Sequence, residues 1–117
     1  MSSRPEEAAA AVQRALLACM GPGAAEQLAT AQLRLAWQEA VAAAGLARGG
    51  LSSRLVRQHN GVGEIEASES ILAQELTLRA DAMVRAVNER LRGRPGATIE
   101  LRRLAISVGR GRQERSL

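Results

Sequence analysis

The chain has 117 residues and a formal net charge of +4, and it contains 16 arginines but no lysine, phenylalanine or tyrosine. This length accommodates one domain with a hydrophobic core, and the lack of lysine excludes a P-loop ATPase, whose phosphate-binding loop requires that residue. A single cysteine excludes an intrachain disulfide and any cysteine-based metal cluster.

The N-terminal sequence does not predict a secretory signal, because charged and polar residues interrupt its alanine-rich run. No uncharged apolar run reaches about 18 residues, so we expect no transmembrane helix and no membrane partner. The sequence therefore predicts a cytoplasmic protein.

Two helices are predicted first. A Ser3-Arg4-Pro5-Glu6 capping box opens a helix over about residues 4–20, and the Gly21-Pro22-Gly23 run ends it. The second helix extends from Ala24 to Ala44, and Trp37 in the middle of its apolar face is predicted to anchor the core. The apolar stripe predicted for the first helix consists of Val12, Leu16, Cys19 and Met20.

A β-hairpin is predicted next. The Asn60-Gly61 pair is typical of a type I′ turn, because both central residues of that turn need positive φ. Strands at residues 54–59 and 62–67 flank it. Glu64 and Glu66 alternate with Ile65 and are interpreted as an exposed strand face rather than as a catalytic pair.

A long helix capped by Ser68 is predicted to continue to Leu91, with apolar residues at intervals of three or four. A turn at Gly93–Gly96 then leads to a last strand over residues 97–108. The apolar positions of that strand change parity midway, which predicts a β-bulge at Arg102 or Arg103.

The element order helix, helix, strand, strand, helix, strand predicts an α+β fold of two layers, with a three-stranded sheet and helices on one face. The predicted domain covers residues 1–109. Residues 110–117 are predicted to form a short, basic, disordered tail.

The basic charge is concentrated at the end of the chain, where residues 90–117 contain eight arginines and two glutamates, a net charge of +6. Arginines at this density predict contacts with the phosphates of single-stranded DNA. Arg54 and Arg57 would join this group only if their strand adjoins the last one. The other candidate nucleic-acid-binding residues are Arg94, Arg102, Arg103, Arg110 and Arg112.

Catalytic patterns do not stand out in the sequence. The single histidine, His59, has no nucleophile arrangement around it. We therefore expect neither enzymatic activity nor a cofactor, a bound metal or a small-molecule substrate. Gly93–Gly96 matches the GxxG pattern of K-homology domains, but such a loop lies between two helices and this one precedes a strand.

Several segments of the chain carry a family resemblance: Leu33, Trp37 and Val41 in the second helix, Leu46-Ala47, the hairpin with Ile65-Glu66-Ala67, the ILAQEL run at 71–76 and the VNERL run at 87–91. Together these segments resemble the DciA family of bacterial replicative-helicase loaders. The resemblance covers residues 12–108. The family often has tryptophan where Ile71 stands, and its link differs from residues 45–53.

The resemblance implies a K-homology-like fold without ATPase activity and binding to single-stranded DNA. It further implies an interaction with a DnaB-type helicase, by which the protein helps to load that helicase on DNA. It also implies association with the nucleoid during replication. Two alternatives remain open: a protein-interaction module that does not bind nucleic acid, and an RNA-binding K-homology-like protein.

Overall fold

A computed structural model of the protein describes residues 5–20 and 23–109. The chain forms an α+β fold with a mixed three-stranded sheet, as predicted, and the predicted order of elements is confirmed except that the long helix is divided in two. The elements are α1 (Pro5–Met20), α2 (Ala24–Ala43), β1 (Ser53–His59), β2 (Val62–Ala67), α3 (Ser70–Leu78), α4 (Ala80–Leu91) and β3 (Arg103–Val108).

The strand order is β1-β2-β3, with β1 antiparallel and β3 parallel to the central strand β2. The predicted hairpin is confirmed, since Asn60 and Gly61 both have positive φ, 52° and 81°. Because β2 lies in the middle, β1 and β3 form the two edges of the sheet and do not touch each other.

One face of the sheet is covered by helices and the other is open. Leu55, Ile65 and Ala67 point to the covered face, where they pack with buried side chains of α2, α3 and α4. Glu64 and Glu66 alternate with them and face the open side, as the alternation predicted. Among the described residues, the two-layer arrangement therefore leaves one face of the sheet without a covering layer.

Trp37 anchors the core from α2, as predicted. Its side chain is 0% exposed, and its indole N–H donates a hydrogen bond of 3.0 Å to Ser53 Oγ at the start of β1. The bond matters because a buried indole N–H without an acceptor would cost free energy. One residue thus fills the space between α2 and the sheet and fixes where β1 begins.

The prediction of one helix from Ser68 to Leu91 was wrong in two respects. The helix is interrupted at Arg79, where φ is −105° and ψ is 15°. Ser68 does not cap it, since its Oγ accepts a hydrogen bond of 2.9 Å from the Ser52 N–H. The predicted apolar stripe nevertheless holds across the break, with Leu72, Leu76, Met83, Val87 and Leu91 all buried.

The last strand is half as long as predicted. It begins at Arg103, and its pairing with β2 is uninterrupted from Val62 and Arg103 to Ala67 and Val108, so no bulge lies within this ladder. The predicted parity change occurs just before it, where the N–H groups of Arg102 and Arg103 both donate to Gly61 O and both side chains are exposed. A second pairing irregularity of the sheet lies in β1, at Val56 between Leu55 and Arg57.

The outer edge of β1 is partly closed by side chains of α2. Gln38 Nε2 donates to Ser53 O at 2.8 Å, and Arg34 donates to Leu55 O at 3.2 Å and to Val56 O at 2.8 Å. These carbonyls point away from β2, where an additional strand would otherwise bind them. The helix therefore occupies three carbonyls in the first half of this edge.

Helix α1 contacts α2 and lies outside the main core. Val12, predicted to belong to a buried stripe, is 58% exposed. The side chains of Leu16, Cys19 and Met20, predicted for the same stripe, lie outside the described part of the chain. None of the helices in the described ranges combines the length and the apolar character needed to cross a membrane.

Candidate nucleic-acid interface

Arg102 and Arg103 lie where β3 begins, beside the tip of the hairpin. Gly61 O accepts hydrogen bonds from both of their main-chain N–H groups, at 2.7 and 3.3 Å. A Cβ at Gly61 would come within 2.9 Å of Arg102 Cγ, so the aliphatic part of Arg102 packs directly on that glycine. The close contact explains why the turn needs a residue without a side chain.

Both side chains are exposed, and neither makes an ion pair within residues 5–20 and 23–109. Arg103 lies on the open face of the sheet, in register with Val62. Two consecutive arginines are thus held on an ordered backbone, and neither has an ion-pair partner among the described residues. Such groups are suited to binding phosphate oxygens.

Arg94 is turned away from this pair. Its guanidinium forms an ion pair with Glu39 on α2, and its side chain is only 24% exposed. Arg94 Nη1 is buried without a hydrogen-bond partner in the described residues. Arg94 therefore fixes the turn after α4 against α2, and its position favours a structural role over contact with a ligand.

Arg54 and Arg57 lie on the open face of β1. Arg54 pairs with Glu66 at 3.0 Å and Arg57 with Glu64 at 2.9 Å, each across the ladder to β2. These pairs neutralise most of the local charge. The condition on which their inclusion depended is also not met, because β2 separates β1 from β3.

Arg110 and Arg112 lie outside the described residues. Gly109 is the last described residue, and its N–H donates to Ala67 O at 2.9 Å, at the end of the sheet opposite to Arg103. Six residues of strand separate these two ends by about 20 Å, at about 3.3 Å per residue. The last described residue, Gly109, therefore lies far from Arg102 and Arg103 along the strand.

The Gly93–Gly96 turn joins α4 to the irregular segment before β3, as expected from the sequence. The junction between α3 and α4, the position of a K-homology GxxG loop, is Arg79 and contains no glycine. Gly96 has a φ of 78° and lies against Leu28 of α2. Its role is thus explained by packing and turn geometry.

A hollow adjoins Arg102 at the hairpin tip and is lined by Gln58, Asn60, Gly61, Ile99, Glu100 and Arg102. Gln58 Oε1 accepts a hydrogen bond of 3.2 Å from Gly61 N–H. No sequence pattern identified Gln58 or Asn60 as polar neighbours of the arginines. Glu100, in contrast, opposes the binding of an anion there.

Glu64 and Glu66 are each paired with an arginine. The described residues contain no group of three or more histidine, cysteine, aspartate or glutamate side chains arranged to hold a metal ion.

No model of a known protein family matches the sequence, and no curated protein is significantly similar to it. The resemblance to the DciA family therefore stays a prediction.

Proposed function

We propose that the protein is a non-enzymatic adaptor that binds single-stranded DNA through Arg102 and Arg103 and assists the loading of a DnaB-type replicative helicase. The supporting observation is the contrast between these two exposed arginines, which have no carboxylate partner in the described residues, and the ion-paired Arg54, Arg57 and Arg94. The helicase part rests on the resemblance of the sequence. Such an adaptor acts in the cytoplasm, at the nucleoid.

The mode of binding follows from what the interface contains. Trp37 is the only tryptophan, tyrosine or phenylalanine of the chain and is buried, so none of these rings is available to stack on bases. Affinity then comes mainly from the release of counterions by phosphate contacts. Binding is weak, insensitive to sequence and steeply dependent on salt.

The test is fluorescence anisotropy with a labelled single-stranded oligonucleotide across a salt series. Each lost phosphate contact lowers the magnitude of the log K against log salt slope by about 0.7, so replacing Arg102 and Arg103 by Ala flattens it by about 1.4. The matched control replaces the exposed Arg48 and Arg85 by Ala, which removes the same charge elsewhere and leaves the slope unchanged. An unchanged slope in the first variant, or no binding at low salt, rejects DNA binding at this site.

The helicase part is tested separately. The full chain and the replicative helicase of the same organism are mixed without ATP and analysed by gel filtration and calorimetry. A complex supports the adaptor function. Folded protein that does not bind the helicase rejects this part, whatever the oligonucleotide result.

A protein-interaction module without nucleic-acid binding is the second candidate. It is favoured by α3, where Ile71 is 66% and Leu78 is 81% exposed and the spacing of seven residues places both on one side of the helix. Exposed aliphatic side chains of this kind mark contact surfaces for other proteins. A chain that binds the helicase but no oligonucleotide supports this candidate, and stronger binding to a matched RNA oligonucleotide supports the RNA-binding alternative.

A further inference from the structure

The outer edge of β3 is open, in contrast to the partly closed edge of β1. Arg103 N–H donates to Gly61 O and Gly109 N–H donates to Ala67 O, so the odd-numbered residues of β3 direct their main-chain groups to β2. In a parallel ladder the intervening residues point the other way. Leu104, Ile106 and Val108 therefore direct their N–H and C=O groups to the free edge.

No described residue hydrogen-bonds to these edge groups. The side chains of Leu104, Ile106 and Val108 are only half-buried, although they face the helical layer. An edge with unpaired main-chain groups and partly exposed aliphatic side chains is a template for the addition of another strand.

We propose that this edge pairs in the antiparallel direction with β3 of a second copy of the chain. The two-fold axis that relates the copies passes between their two Ile106 residues. This register places Leu104 opposite Val108 of the second copy and Ile106 opposite its own equivalent. Directly opposed residues of antiparallel strands lie on the same face, so the half-buried aliphatic side chains meet. All three are edge-facing residues, and each opposed pair exchanges two main-chain hydrogen bonds.

The charges of the strand fit this register, because no like charge lies opposite Arg103. Arg103 falls opposite Gly109 of the second copy. A Cβ at Gly109 would lie 3.3 Å from Glu66 Oε1, so the Glu66 carboxylate lies directly beside that glycine. Arg103, which has no ion pair in the described part of one chain, thus comes near the Glu66 carboxylate of the other copy, which it shares with Arg54 of that copy. This self-association needs no nucleic acid, and it competes with the proposed phosphate contact of Arg103.

Amide hydrogen exchange of the full chain, measured by NMR over a dilution series without nucleic acid, tests the pairing directly. The amides of Arg103, Ala105 and Ser107 are protected at every concentration, because they bind β2. The amides of Leu104, Ile106 and Val108 become protected only as the chain associates. Protection of these three amides in the dilute monomer means that the chain's own residues cover the edge, and it overturns the proposal.

A charge-swap experiment by analytical ultracentrifugation tests the register. Arg103→Glu and Glu66→Arg each place like charges together at both ends of the dimer. Each variant alone should therefore associate at least about tenfold more weakly than the wild type. Mixed, the two variants pair with opposite charges at both ends and regain the wild-type association. Arg85→Glu on α4 makes the same charge change away from β3 and leaves association intact. A monomeric wild type, or variants that do not complement each other, overturns the proposal.

Discussion

The side chain of Asn88 on α4 hydrogen-bonds to both main-chain groups of Leu101. Nδ2 donates to Leu101 O and Oδ1 accepts from Leu101 N–H, each at 2.9 Å. The amide thus replaces a neighbouring strand at a position where the chain is not part of the sheet. Leu101 itself is buried, and its Cδ2 would lie 3.2 Å from a Cβ at Gly63. This pair holds the segment that leads into Arg102 and Arg103.

Asn88→Ala should lower the free energy of unfolding by about 1 to 3 kcal/mol, because a partly buried donor and acceptor lose their partners. Urea denaturation measures this loss. Asn88→Asp keeps the size and the acceptor but cannot donate to Leu101 O, so it should not restore stability. Glu89→Ala, at the exposed neighbouring position, serves as the control. An Asn88→Ala variant as stable as this control would contradict the bridging role.

The two faces of α3 should respond oppositely to truncation. Leu76 is 0% and Leu78 is 81% exposed on the same nine-residue helix. Leu76→Ala should cost about 2 to 5 kcal/mol of stability through lost burial and a cavity. Leu78→Ala should stay within about 0.5 kcal/mol of the wild type. Similar losses of stability for the two variants in thermal unfolding would contradict this orientation of α3.

Gly93 and Gly96 lie in the same turn, and substituting each by alanine distinguishes the cost of backbone strain from the cost of steric overlap. Their φ values are 78° and 77°, but a Cβ meets nothing within 4 Å at Gly93 and lies 2.2 Å from Leu28 Cδ2 at Gly96. Gly93→Ala should cost about 1 to 2 kcal/mol from the left-handed conformation alone. Gly96→Ala should cost more, because Leu28 must move.

The excess cost at Gly96 should disappear when Leu28 is shortened. In a double-mutant cycle followed by denaturant unfolding, Gly96→Ala combined with Leu28→Ala should lose less stability than the sum of the single changes. Additive losses would place Leu28 away from the turn.

Arg54→Ala with Arg57→Ala should leave the salt slope of oligonucleotide binding unchanged, although it removes two charges. Both arginines already pair with glutamates, so they release no counterions from DNA. The overall affinity should fall, because Glu64 and Glu66 are then left uncompensated on the open face. A slope flattened as much as in the Arg102 and Arg103 variant would indicate that Arg54 and Arg57 contact the DNA.

Residue periodicity was sufficient for the buried stripe of α2, the hairpin at Asn60-Gly61 and the exposed face at Glu64 and Glu66. It was not sufficient for the break at Arg79, because the apolar spacing continues across it and no glycine or proline marks it. The start of β3 at Arg103 was missed for another reason. The residues before it look like a strand, but a side chain from α4 satisfies their main-chain groups.

The candidate site was harder to predict than the fold. Charge counts treat all arginines alike, whereas Arg94, Arg54 and Arg57 are distinguished from Arg102 and Arg103 by their carboxylate partners, which come from distant parts of the chain. Only the strand order shows which arginines share an edge.

The closure of β1 by Arg34 and Gln38 limits how many copies one sheet can join. A fibre requires that every molecule offer two open edges, one to receive a strand and one to continue the sheet. Here the helix occupies three carbonyls of one edge, and a contact at β3 uses the other. In the proposed dimer, growth of the sheet therefore stops after a single step, which protects a chain with a half-buried, aliphatic edge strand from open-ended aggregation.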